Sequence, residues 1–148
     1  EKWSTAFNAG HVESLVNMFA GPGAVMPPNS STVRGYESIT GYYTQMFSEG
    51  ERNLEVEISE VNGDGDLGSV SGTFLNITQT PIQVDDDEAA EDAIDQEEAE
   101  AAEPEMQQTR DRGKFVIILK RGLGGVWKFE SFIWNSDIHV FTNLHLAA

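Results

Sequence analysis

Phe115, Ile117 and Leu119 alternate with Val116, Ile118 and Lys120, and Trp127, Phe129, Ser131 and Ile133 alternate with Lys128, Glu130, Phe132 and Trp134. A period of two predicts strands over 114–121 and 126–137, and Gly122-Leu123-Gly124-Gly125 joins them as a hairpin. Both strands read as central, which makes Phe115 and Trp134 candidates to line whatever lies above the concave face of the sheet. Leu54, Val56 and Ile58 alternate with Glu55, Glu57 and Ser59, the pattern of an antiparallel strand with one wet face. After a turn at Asn62-Gly63-Asp64-Gly65-Asp66, a strand over 67–78 carries Gly68 and Gly72, which predict a bulge or strong curvature.

The N-terminal third follows a different period. Trp3, Phe7, Leu15, Met18 and Phe19 fall near helical spacing, and Asn8-Ala9-Gly10 interrupts them, so two helices are predicted over 2–9 and 11–20. Gly21-Pro22-Gly23 should stop the second helix. Ala24-Val25-Met26 then reads as a short strand ended by Pro27-Pro28, with loop over 29–34. Ile39, Tyr43 and Met46 predict a third helix over 35–48. Three helices followed by a curved antiparallel sheet make an α+β cone, and 148 residues suffice for one domain.

Charge changes the picture at one place. Of 25 acids, 12 lie within residues 85–105, where there is no Lys or Arg; the rest of the chain sets 13 acids against 9 basic residues. An acidic, Ala/Glu-rich insertion over 79–109 is therefore expected to be a solvated segment that builds no core of its own, with residues 85–105 dispensable for folding. So few basic residues exclude nucleic acid as a partner and disfavour an anionic membrane. Cysteine is absent, which excludes a disulfide framework and leaves the compartment open. The opening at Glu1, inside a helical pattern, is compatible with a cytoplasmic chain or an exported one whose leader has been removed.

Candidate chemistry is sparse. Asn62, Asp64 and Asp66 match the first three ligand positions of a Ca²⁺ loop, but Leu67 stands where glycine is required and Thr73 where the bidentate Glu is required, so a hairpin turn is the reading. His11, His139 and His145 form no zinc spacing, and no metal or cofactor is implied. Arg110-Asp111-Arg112 with Asp137 supplies the residue types of an arginine flanked by carboxylates that activates water, although a cross-strand pair explains them more simply. Asn135-Ser136-Asp137 either faces a ligand or caps the end of the strand.

Trp3 with Ala6-Phe7-Asn8-Ala9-Gly10, Met18-Phe19-Ala20, Val33-Arg34-Gly35, Asp111-Arg112-Gly113-Lys114-Phe115, Gly125-Val126-Trp127-Lys128 and Trp134-Asn135-Ser136-Asp137 together resemble the SnoaL-like and DUF4440 branch of the NTF2-like, or ketosteroid isomerase-like, superfamily. The resemblance implies a cone with a pocket between helices and sheet, commonly a homodimer, and spans a range of activities. It does not extend to steroid isomerisation. The oxyanion tyrosine falls at Trp3, the base at Pro27, and the second acid within a residue or two of Val116.

The expected function is therefore a small-molecule-binding domain, with any isomerase, cyclase or hydrolase chemistry free of cofactors; the alternative is a non-catalytic dimerisation or ligand-binding module. Trp3, Phe7, Met26, Tyr43, Phe47, Phe115 and Trp134 are the candidate pocket residues. Arg34, Arg112, Asn135 and Asp137 are the candidate polar handles, for a small apolar or polyketide-like molecule.

Overall fold

The long alternating runs form a six-stranded sheet in the computed structural model, which describes residues 1–82 and 104–138. In chain order the elements are helices α1 (Lys2–Asn8) and α2 (Val12–Val16), strands β1 (Phe19–Met26) and β2 (Val33–Arg34), helix α3 (Tyr36–Ser48), and strands β3 (Glu51–Asp64), β4 (Leu67–Pro81), β5 (Met106–Arg121) and β6 (Trp127–Ser136). The order across the sheet is β2-β1-β6-β5-β4-β3, which places the β5–β6 hairpin centrally, as its apolar residues on both faces predict. Among the described residues β1 runs parallel to β6 and the other pairings are antiparallel, so the sheet is mixed. The α+β class stands, with two of the strands preceding α3.

Several local expectations change. Helix α2 ends at Val16, and Phe19 opens β1 instead of continuing the helical stripe. Its ring packs edge-on against Phe129 at 5.4 Å, so burial against the sheet outweighs the helical spacing it shares with Leu15. Gly21-Pro22-Gly23 lies inside β1, where a register slip between Phe19 and Ala24 absorbs the donor that proline lacks. Val33–Arg34 is a short edge strand on β1 where loop was expected. Gln79 to Pro81 pair with Met106 to Gln108, and Thr109 with Thr78, so both ends of the expected insertion lengthen the β4–β5 hairpin. Most of the acidic stretch lies outside the described residues, as do His139 and the tail beyond it.

The anticipated bulge sits one strand away from its glycines. Strand β4 pairs without a slip along β5 from Leu67 to Pro81, whereas β3 slips between Ile58 and Glu60, opposite Gly72 and Ser71. A Cβ on Gly72 would run into the Glu57 carbonyl oxygen, so glycine here serves close backbone approach.

Helices close the concave face. Helix α3 buries Ile39 and Tyr43 one turn apart and half-buries Met46 and Phe47 on the same side. Helix α1 buries Ala6 and Phe7, and is tied down by Asn8: its Nδ2 donates to the Leu54 carbonyl at 3.0 Å while its Oδ1 accepts from the Leu54 N–H at 2.7 Å. The amide thereby satisfies part of the free edge of β3, which the sheet leaves unpaired. Among the described residues no helix is long and apolar enough to cross a membrane.

Candidate functional site

Between the helices and the concave face lies a cavity of about 700 Å³. Its walls come from α1 (Trp3, Phe7), from α3 (Tyr42, Tyr43, Met46) and from the inward positions of β3 to β6. Trp3 stacks on Phe7 at 5.2 Å and meets Phe132 edge-on at 5.1 Å, while Tyr42 lies 6.3 Å from Trp134. These aromatic pairs hold the helices off the sheet as well as onto it.

Strand parity sorts the wall. On β5, Asp111, Gly113, Phe115, Ile117 and Leu119 share one face, and their cross-strand partners include Asn76, Phe74 and Val70 on β4 and Ser136, Trp134, Phe132 and Phe129 on β6. The polar members collect at one end. Asp111 Oδ1 accepts a hydrogen bond from Ser136 Oγ at 2.5 Å, and Asn76 is directly opposite Asp111, with a buried Oδ1 that has no partner among the described residues. Arg52 reaches the same end from β3. Its Nε donates to the Met46 carbonyl at 3.3 Å, one terminal nitrogen donates to Thr78 Oγ1 at 3.3 Å, and the other lies 3.4 Å from Glu49 Oε2. Burial holds its pKa below the ordinary arginine value, with Glu49 and Tyr42 opposing the shift. The opposite end is lined by Ile58, Val61, Val70, Leu119 and Phe129 and opens to solvent, with Ile58 52% and Val61 71% exposed.

The residues expected at the site divide. Trp3, Phe7, Tyr43, Phe115 and Trp134 lie on the cavity wall. Phe47 stands behind it, packed edge-on to Phe7 at 5.2 Å and stacked on Tyr43. Met26 does not line the cavity either; it pairs with Ile133 on the outer side, because Val25 takes the inward position. The four expected handles lie elsewhere. Arg34 is exposed on edge strand β2 and donates to the Pro22 carbonyl at 3.1 Å. Arg112 and Asn135 are exposed outer-face neighbours of Asp111 and Ser136, and Asp137 pairs with Lys114 at 2.7 Å outside the cavity. An arginine flanked by two carboxylates is therefore not assembled there. Of the three steroid-isomerase positions, Trp3 and Pro27 line the cavity and Val116 points outward, 39% exposed.

Two phenols on the wall are strongly desolvated. Burial raises the Tyr43 pKa far above the ordinary 10.0; Tyr42 adds to the shift, and the Trp3 indole N–H opposes it weakly without forming a hydrogen bond of normal geometry. Burial raises Tyr42 as well, against the pull of Arg52. A folded-state pKa above the unfolded one means that the folded protein holds the proton more tightly, so this stability is complete below the unfolded value and is lost as pH rises beyond it. The unfolding free energy from urea titration should be flat to about pH 9 and then fall by up to about 1.4 kcal/mol per pH unit per tyrosine, carrying the urea midpoint down with it. An unchanged midpoint at pH 11 would show that the phenols ionise as readily in the fold as in water.

A sequence profile described as the SnoaL-like domain matches residues 1–95, nearly two thirds of the chain. The chain belongs to the SnoaL-like family. Its fold is that of the NTF2-like superfamily: a ketosteroid isomerase-like protein from Erwinia carotovora superposes with a TM-score of 0.68 at 15% identity, covering 93% of this chain and 90% of that one. An NTF2-like superfamily protein from Salmonella enterica superposes with a TM-score of 0.68 at 9% identity, covering 97% and 89%. A protein of cystatin-like fold from Nostoc punctiforme gives 0.64 at 10% identity, covering 92% and 84%. Identities this low establish the shared fold of this SnoaL-like domain and no activity. No curated protein matches the chain.

Proposed function

We propose that this SnoaL-like domain binds a small apolar molecule in its cone, and that any reaction there is cofactor-free acid/base chemistry centred on Asp111. The supporting observation is the cavity itself: about 700 Å³ stays open although aromatic side chains crowd its walls, and Asp111 projects into it with Ser136 holding one carboxylate oxygen. The other acid on the boundary, Glu1, is exposed at the start of α1. A carboxylate oriented through one oxygen keeps the other free to accept a proton or a hydrogen bond. Trp3 and Trp134 report occupancy by fluorescence. Titration with anilinonaphthalene sulfonate should saturate at one dye per chain, and Ile117→Trp, which fills the slot, should weaken dye binding at least tenfold. Dye that does not saturate, or that ignores the filled slot, would defeat the proposal.

Asp111→Asn separates the enzyme from the ligand-binding module, since it keeps volume and removes the base. For an enzyme, it should lower turnover of whichever ester, epoxide or enone proves active by at least about a hundredfold, with dye affinity within about twofold of the parent. Absence of any turnover to lose would leave the module.

The reading includes a homodimer through the outer face of the sheet. Val116 (39% exposed) and Ile133 (48% exposed) are register partners at the centre of that face, beside a groove of about 470 Å³. Sedimentation equilibrium should return twice the 16.3 kDa chain mass, and Ile133→Glu should return the single chain. A parent protein that sediments as one chain at micromolar concentration excludes this interface.

A further inference from the structure

We infer that the ligand of this cavity is an elongated amphiphile, a single apolar chain carrying a hydrogen-bond-donating head such as a hydroxyl or an amine, bound with its head at Asp111 and its tail toward Val61. The inference rests on the binding function proposed above and adds the class of molecule bound.

Three features of the cavity carry it. The first is shape. Asp111 and Leu119 both line the cavity from the same strand, eight residues apart, which spans roughly 25 Å at the rise of a β-strand. About 700 Å³ distributed over that length leaves a mean section of roughly 30 Å², a slot that accepts a chain lengthwise.

The second is the gradient of polarity. Arg52, Asn76 and Asp111 line the end nearest the β4–β5 hairpin neck, whereas Ile58, Val61 and Leu119 line the far end. A ligand of uniform polarity would leave one of these ends badly matched. At the polar end the available groups favour a donor: Asp111 has an oxygen not used by Ser136, and Asn76 directly opposite brings an amide carbonyl without a partner among the described residues. Arg52 is already turned to the Met46 carbonyl, Thr78 and Glu49, so a carboxylate head would meet Asp111 before it met a free guanidinium.

The third is the open lip. Ile58 and Val61 belong to the inward face of β3, yet they stand 52% and 71% exposed. Inward residues of a cone are exposed where the helices do not reach, and covering them is favourable in proportion to the apolar area removed from water. The tail of a bound amphiphile supplies that cover.

The test is a displacement series on the parent protein, using anilinonaphthalene sulfonate as reporter and straight-chain 1-alkanols and alkanoates of six to twelve carbons as competitors. Alkanols should displace the dye with affinity rising about fourfold per methylene. Each alkanol should bind at least tenfold more tightly than the alkanoate of equal length, and Asp111→Asn should shrink that preference to within about threefold. Ile58→Asp should weaken dodecanol at least tenfold and leave hexanol within twofold, because Ile58 is level with Phe115, roughly 13 Å along β5 from Asp111, and only the longer tail reaches it. Affinity that does not grow with chain length, an alkanoate preference, or equal losses for hexanol and dodecanol in Ile58→Asp would each overturn the inference. Saturable dye binding that no alkanol displaces would overturn it while leaving the binding function standing; absence of dye binding would remove both.

Discussion

Gly113→Ala should cost this domain about 3 kcal/mol and lower its melting temperature by roughly 10 °C. Gly113 lies on central strand β5, where an added Cβ would overlap the Asn135 carbonyl oxygen of β6 and come within 3.0 Å of Phe74 Cε1. The oxygen belongs to β6 backbone held in register with β5, and β1 holds β6 from the other side as far as Ile133, so it has little room to move. One methyl group must then break the β5–β6 ladder or push β6 away from Phe115 and Ile117, which carry the sheet side of the core. The same substitution at Gly41 has the opposite expected sign. That residue lies in α3 with nothing within 4 Å of its virtual Cβ, and alanine there should add up to about 1 kcal/mol by helix propensity alone. Thermal melts of the two variants beside the parent are the measurement. Equal small shifts would mean that β6 makes room for the added methyl group without cost.

Much of this architecture is legible in the sequence because it rests on period. The β5–β6 hairpin, the inward placement of Phe115 and Trp134 and the buried stripe of α3 follow from alternation and helical spacing. Polar site residues are legible by the same rule, yet the handles expected on β5 and at the end of β6 stand one residue away from them. Phe115 fixes the parity of β5, so Gly113 and Asp111 face inward with it while Arg112 and Lys114 face out; Trp134 fixes β6, so Ser136 faces inward and Asn135 out. Arg52 shares the parity of Leu54 and Val56, and Asn76 that of Phe74. Counting by two from the correct aromatic anchors finds every polar group of the cavity wall contributed by the sheet, whereas choosing by charge and proximity to strand ends picks their outward neighbours.

What period cannot show is contact between segments far apart in the chain. Nothing local says that β1 joins the sheet parallel to β6, or that the Asn8 side chain, which reads as a helix interruption, satisfies the edge of a strand 46 residues later. Gly72 illustrates the same limit. Its sequence signal is real, but the reason is the approach of the Glu57 carbonyl and the Phe115 ring, and the slip it suggests is taken up by β3. Local sequence registers that a position is special; the neighbour that makes it so comes from the topology.

Tyr43 should respond in opposite directions to two substitutions. It is 1% exposed, packs against Phe19, Tyr42 and Phe47, and carries a buried hydroxyl without a hydrogen-bond partner among the described residues. Tyr43→Ala removes the largest fully buried side chain of the core and should cost about 3 to 5 kcal/mol. Tyr43→Phe keeps the ring and removes only the hydroxyl. A hydroxyl stripped of water without an internal bond is a cost to folding, so its removal should leave stability unchanged or raise it by about 1 kcal/mol. It should also make the loss of stability above pH 10.0 shallower, because one of the two desolvated phenols is gone. Urea unfolding of both variants at neutral and alkaline pH tests the pair. A loss of more than about 1 kcal/mol in Tyr43→Phe would show that the hydroxyl is bonded in solution, with the Trp3 indole N–H beside it as its partner. That wall of the cavity would then be a closed pair holding α1 to α3, leaving the polar end at Asp111 as the part of the cone still able to bind a ligand's head.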